Sequence, residues 1–161
     1  MAALRLLSPL ACTALALAAA APAQAACLLC TCSASAGNIA FGNYDPSSGT
    51  ARDANATVAV SCFAPAFIIG SVDIALSAGQ SGAATTRKLA KGTDMLNYNV
   101  YSDAAHLSIL GTGSGGTSLL QLSVSGILNF GSSTTVYGRI PARQWVRAGA
   151  YADTLTVTIT Y

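Results

Sequence analysis

From Thr154 onward the chain alternates without a fault. Leu155, Val157, Ile159 and Tyr161 fall on one side, and Thr154, Thr156, Thr158 and Thr160 on the other. That is the period-2 pattern of a half-buried strand, written in strand-favouring residues. The same alternation recurs upstream between turn signals. Ile39 and Phe41, continuing toward Asn43, predict a first strand that stops at the turn sequence YDPSSG. Residues 57–62 predict a second, with Val58 and Val60 on one face. Val72, Ile74 and Leu76 predict a third, closed by SAGQSG, and Leu96, Tyr98 and Val100 a fourth, set against Asn97, Asn99 and Tyr101. Residues 107–110 form a short strand before GTGSGG. Leu120, Leu122 and Val124 alternate, as do Leu128 and Phe130; residues 135–140 make another strand, stopped by Pro141, and residues 151–161 make the last.

No stretch has the 3.6-residue period of a long amphipathic helix. Seven or eight short strands with frequent turns predict an all-β domain. An immunoglobulin-like antiparallel β-sandwich is the expected architecture, with a closed barrel as the alternative. Leu155, Val157, Ile159 and Tyr161 are expected to face its interior. The glycine-rich loops at residues 78–85 and 111–117 are expected to be exposed, and neither resembles a phosphate-binding loop.

Composition moves the reading outside the cell. The sequence MAALRLLSPLACTALALAAAAPAQA opens with one cation, Arg5, continues as an apolar run and ends in Ala23-Gln24-Ala25. Small residues at both ends of that triplet fit signal-peptidase cleavage after Ala25, giving a signal peptide over 1–25 and one domain over 26–161. Residues 10–21 are too short for a membrane span of about 20 residues, so stable membrane insertion is not expected. Gln24 stands where a lipoprotein signal before Cys27 usually carries Leu. Charged residues are only 9% of the chain and the formal net charge is +2, too little and too scattered for a nucleic-acid binder. Cys27, Cys30, Cys32 and Cys62 remain after cleavage, an even number that in an exported chain reads as two disulfides.

Catalytic chemistry finds little footing, and the chain is not expected to be an enzyme. His106 is the single histidine, placed in a turn sequence, DAAHLS, without a nucleophile-elbow motif anywhere. It is expected to be an exposed turn residue. The carboxylates Asp45, Asp53, Asp73, Asp94, Asp103 and Asp153 stand mostly in turn contexts, where Asp bonds its own backbone. CLLCTC has redox and metal spacing at Cys27 and Cys30, but the only distant ligands are Cys62 and His106, and disulfides suit the compartment better. No cofactor or metal is expected. Trp145, between Arg143 and Arg147 in RQWVRAG, reads either as a ligand contact or as an aromatic packed on the sandwich edge, the second being the more common use.

Several stretches together resemble the spore coat protein U-like domain. CSASAGNIAFGNYDPSSG is similar to its start, through Cys32, Phe41, Gly42, Tyr44, Asp45 and Pro46. ATVAVSC is similar to its second strand, ending at Cys62. LNYNVYSDAAHLSILGTG is similar to its central strand and the Asp-Ala-Ala turn at Asp103, Ala104 and Ala105. VYGRIPARQWVRAGAYADTLTVTITY is similar to its C-terminal block, through Tyr137, Gly138, Ile140, Pro141, Gln144, Gly149, Tyr151 and Asp153. The resemblance implies an exported surface protein, similar to the subunits of archaic chaperone–usher pili that act in attachment and biofilm formation. Such subunits have an immunoglobulin-like fold lacking its last strand. A periplasmic chaperone, and after passage through an usher a neighbouring subunit, supplies it. The edge carrying Leu155, Val157, Ile159 and Tyr161 is then expected to accept that strand, and the chain's end inside a strand fits this expectation. Residues 26–31, ahead of Cys32, span at most about 20 Å. The chain is therefore expected to accept a strand more readily than to donate one, which suits a terminal position in a fibre or a coat component more than a repeating shaft.

Of the three possible disulfide pairings, Cys32–Cys62 with a local Cys27–Cys30 clip is expected, and Cys30–Cys62 with Cys27–Cys32 is the alternative. Two other functions compete with the fibre subunit. One is a self-contained secreted coat protein with its groove closed by its own residues. The other is a small secreted carbohydrate-binding module using Trp145 and the glycine-rich loops.

Overall fold

The structure, a computed structural model, describes residues 29–161; the expected signal peptide and Cys27 lie outside them. Seven strands run through the described residues: β1 (Thr31–Ala36), β2 (Arg52–Leu76), β3 (Lys88–Lys91), β4 (Asp94–Asn97), β5 (Asn99–Tyr101), β6 (Leu120–Ile140) and β7 (Val157–Thr160). All named pairings are antiparallel. The fold is all-β, and the sheets do not close into a barrel.

Two long strands correct the expected partition. The predicted second and third strands are the two halves of β2, and the strands predicted between Leu120 and Ile140 are all β6. β2 and β6 pair along almost their whole length, from Arg52↔Ile140 to Ile74↔Leu120. The ladder cannot be straight. Val58 and Ile74 stand sixteen residues apart, about 50 Å along an extended strand, yet both line one cleft of about 370 Å³. The strand pair therefore folds over on itself. The corner lies where the register slips between Ala64 and Ile68. Pro65 falls inside that slip, where a residue without an N–H does least harm to the ladder. Across from it, Leu128 holds the left-handed region at φ 62°. A Cβ on Gly126 would stand 2.6 Å from the Phe130 Cβ, so only glycine fits there. Phe67, Ile69, Ile127 and Leu128 are left exposed around this corner.

Folding the ladder over produces the sandwich. One layer holds β1, the first half of β2, the second half of β6, and β5; the other holds the first half of β6, the second half of β2, and β7. Inward positions of both layers meet in one core: Val58, Val60, Cys62, Val100, Val136 and Ile140 from one layer, Val72, Ile74, Leu76 and Val124 from the other, with Leu110 in the same cluster. β3 and β4 form a separate two-stranded hairpin.

The strand expected at Ile39 and Phe41 does not form; β1 precedes it, at Thr31–Ala36. Ile39 and Phe41 alternate because both cover Gly138 of β6, where a Cβ would meet each of them at 2.7 Å. Gly42, at φ 69°, then turns the chain away. The alternation thus reports one buried and one half-buried side chain on a segment with no ladder partner.

Candidate functional site

The cleft opens between the two layers. One wall is the segment after β1, with Ile39 and Phe41; the other is the segment leading into β7, with Leu155 and Val157. Val58, Ile74, Leu76, Val100, Leu110 and Val136 form its floor. These side chains are apolar, and Asn38, Tyr98, Tyr151 and Asp153 complete the lining with polar groups. Leu155, Val157 and Ile159 are only half-buried, whereas Thr154, Thr156, Thr158 and Thr160 are exposed, so the sequence alternation maps onto the two faces of this edge. Tyr161, expected to face inward with them, is 40% exposed.

β7 is hydrogen-bonded on one edge. It pairs with β2 from Leu76↔Val157 to Asp73↔Thr160, and the Ser77 N–H donates to the Thr156 carbonyl just before it. Among the described residues no strand pairs with its opposite edge. An exposed strand edge beside a half-open apolar trough combines two unsaturated features, free backbone groups and uncovered hydrocarbon.

Three polar groups hold this wall in place: Tyr98 and Arg87, which are buried, and Asp153, which is half-buried. Asp153 accepts hydrogen bonds from the Tyr98 hydroxyl at 2.8 Å, the Gln80 N–H at 3.0 Å and the Thr154 N–H at 2.8 Å. Gly79, at φ 67°, makes this approach possible, since a Cβ there would lie 2.1 Å from the carboxylate. Burial and the bond to Asp153 push the Tyr98 hydroxyl well above the ordinary tyrosine range. Arg87 is fully buried. Its guanidinium donates to the Ser77 carbonyl at 2.7 and 3.0 Å, the Leu76 carbonyl at 3.2 Å and the Asn99 side-chain oxygen at 2.9 Å. Desolvation lowers its pKa. The carbonyls it binds end β2 directly opposite β7, so Arg87 anchors the strand on which the cleft's outer wall hangs.

Cys32 and Cys62 stand opposite each other in the β1–β2 register and are bridged. Cys30 is disulfide-bonded as well; its expected partner, Cys27, lies outside the described residues. The bridge fixes β1 to the layer that carries the inner wall.

The remaining candidates lie away from the cleft. His106 is not the exposed turn residue expected. Its φ of 59° and the hydrogen bonds of Asp103 to the Leu107 and Ser108 N–H groups make the turn, but the ring is inserted between Tyr101 and Tyr137. Its Nε2 lies 3.9 Å from Asp53, which is held by Arg139 through two hydrogen bonds of 2.7 Å. Among the described residues its Nε2 makes no hydrogen bond. Trp145 does not pack on the sandwich edge; it is 82% exposed. Among the described residues no group of three or more His, Cys, Asp or Glu side chains could hold a metal ion, and no helix is long and apolar enough to cross a membrane.

The fold and the cleft define an open two-layer antiparallel sandwich with an edge strand paired on one side only among the described residues. Residues 14–158 match the Spore Coat Protein U domain, and the chain belongs to that family. It is 32% identical over 137 residues to Protein U of Myxococcus xanthus, across 80% of this chain and 74% of that protein. Its fold is similar to that of a chain in the crystal structure of the CsuC–CsuE chaperone–tip adhesion subunit pre-assembly complex, from the archaic chaperone–usher Csu pili of Acinetobacter baumannii. The TM-score is 0.55 at 18% identity over 83% of this chain. This chain spans 40% of the length of that structural neighbour.

Proposed function

We propose that the protein is an exported subunit of a chaperone–usher-type surface fibre, and that its cleft accepts a strand from another protein. The observation that carries this reading is the apolar cleft walled by Leu155 and Val157 beside the free edge of β7. An extended segment laid along that edge would satisfy its backbone groups, while alternate apolar side chains filled the trough. Leu155, Val157, Ile159 and Tyr161 are the acceptor positions. In transit through the periplasm the partner is a chaperone; after the usher it is a neighbouring subunit. Attachment to surfaces and biofilm formation are the roles such a fibre serves. The fold likeness to a pilus assembly complex supports the partner class, and residues 1–25 supply the export signal.

Co-expression tests it. With a chaperone of the archaic chaperone–usher class, the exported protein should accumulate and co-purify with the chaperone in a one-to-one complex. Without it, yield in the periplasm should fall by about tenfold or more. Equal yield of a soluble monomer in both cases would favour a second reading, a secreted coat protein that closes its own cleft, for which membership in the Spore Coat Protein U domain family speaks.

A further inference from the structure

The segment between β6 and β7 presents an aromatic platform that the cleft does not use. Along residues 142–147 exposure alternates: Ala142, Gln144 and Val146 are half-buried, while Arg143, Trp145 and Arg147 are exposed. The indole is 82% exposed, an unusual position for the largest apolar side chain in a protein with a single tryptophan. Arg143, Trp145 and Arg147 do not line the cleft between the layers.

The loop is held on both sides. The Tyr44 hydroxyl donates to the Pro141 carbonyl at 2.9 Å and accepts from the Gln144 N–H at 2.8 Å. The Gln144 side chain bridges to the backbone of β4, accepting from the Asn97 N–H and donating to its carbonyl, both at 2.9 Å. Past the tryptophan, the Tyr151 hydroxyl donates to the Arg147 carbonyl at 2.8 Å, and Lys91 donates to the Ala148 carbonyl. An exposed tryptophan on a loop this firmly braced is pre-organised for contact, since little order remains to be imposed on binding. The two flanking guanidiniums are free to serve it. Among the described residues neither is bound to a carboxylate, and the backbone between them spans at most about 14 Å.

We propose that Arg143, Trp145 and Arg147 form a binding site for an acidic polysaccharide. The flat indole stacks on the apolar face of a sugar ring, and the two forks hold carboxylates on neighbouring sugars, the geometry for which guanidinium is suited. A single planar platform that lines no part of the cleft and belongs to no strand offers no pocket for peptide side chains and no ladder for a peptide backbone. None of the three side chains lines the strand-acceptor cleft, so the proposal stands whether or not the fibre reading does.

The test uses the full exported chain, in its chaperone complex if that is the form that accumulates. Binding is measured to polygalacturonate, to neutral dextran and to phosphatidylserine vesicles, each at low and high salt. Polygalacturonate should be bound and dextran not, with affinity falling as salt rises. Trp145→Ala should weaken binding at least tenfold, and Arg143→Gln and Arg147→Gln about threefold to tenfold each. The thermal midpoint of Trp145→Ala should stay within a degree or two of the parent, separating lost binding from lost fold. Arg147→Lys should recover only part of the loss, because an ammonium keeps the charge but not the fork. Absent binding to polygalacturonate, equal binding to dextran, or unchanged binding by folded Trp145→Ala would overturn the proposal. Binding confined to the vesicles would reassign the surface to membranes and overturn it equally.

Discussion

At the scale of single residues, polar groups decide how the layers are fastened. Arg139 holds Asp53 through two hydrogen bonds across the β2–β6 ladder, and those bonds keep the Asp53 carboxyl below its ordinary value. A carboxyl depressed in the folded state binds its proton more readily in the unfolded chain. Its stabilisation is therefore complete above the ordinary aspartate value of about 4 and is lost as pH falls through the folded value. Asp53 is 46% and Arg139 36% exposed, so solvent screening limits the pair to about 0.2–1 kcal/mol. Asp53→Asn should lower the urea midpoint slightly at pH 7, and the difference from the parent should shrink steadily as pH falls below about 4. A difference that did not shrink with falling pH would place the effect in packing against His106 rather than in charge. The sequence offered no route to this pair, which joins residues 86 positions apart. Arg87 was equally hidden, because a buried arginine satisfied by carbonyls looks, in sequence, like any surface cation.

At the scale of elements, alternation proved legible where one face is wet and misleading where both ends of a strand share a core. The segment leading into β7 alternates as expected because its outer threonines meet water. The two long strands were expected as separate shorter ones, whereas each runs on through a corner at the register slip between Ala64 and Ile68. Ile39 and Phe41 had the pattern of a strand without a neighbour to pair with. Register is the property to test in β7, since a one-residue slip exchanges its two faces. Val157→Asp places a charge against the apolar cleft and should destabilise by roughly 2–4 kcal/mol. Thr158→Asp faces solvent and should stay within about 1 kcal/mol of the parent. Urea unfolding of the two variants reads the difference directly. The reverse order would mean that β7 lies one residue out of the register described.

At the scale of the whole molecule, the disulfide and the cleft divide the labour of stability. Cys32–Cys62 closes a long loop, for which chain entropy gives about 3–4 kcal/mol. It secures β1, and hence one wall of the trough, without filling it. Apolar side chains left half-covered along the other wall mean that part of the available burial is not realised within the described residues. A ligand that binds only the folded state stabilises it by mass action, about 2.7 kcal/mol at a hundred times its Kd. For a domain of this size that corresponds to a rise in thermal midpoint of roughly 10 °C. A synthetic peptide of alternating apolar and polar residues should produce such a rise in a concentration-dependent way. The same composition with its apolar residues made consecutive should not, since it cannot point every second side chain into the trough. Val157→Asp should abolish the shift even at temperatures where the variant is folded, while Trp145→Ala should leave it intact. A midpoint that neither peptide moves would mean that the protein covers its cleft unaided, and the secreted coat protein would then account for the fold better than strand exchange does.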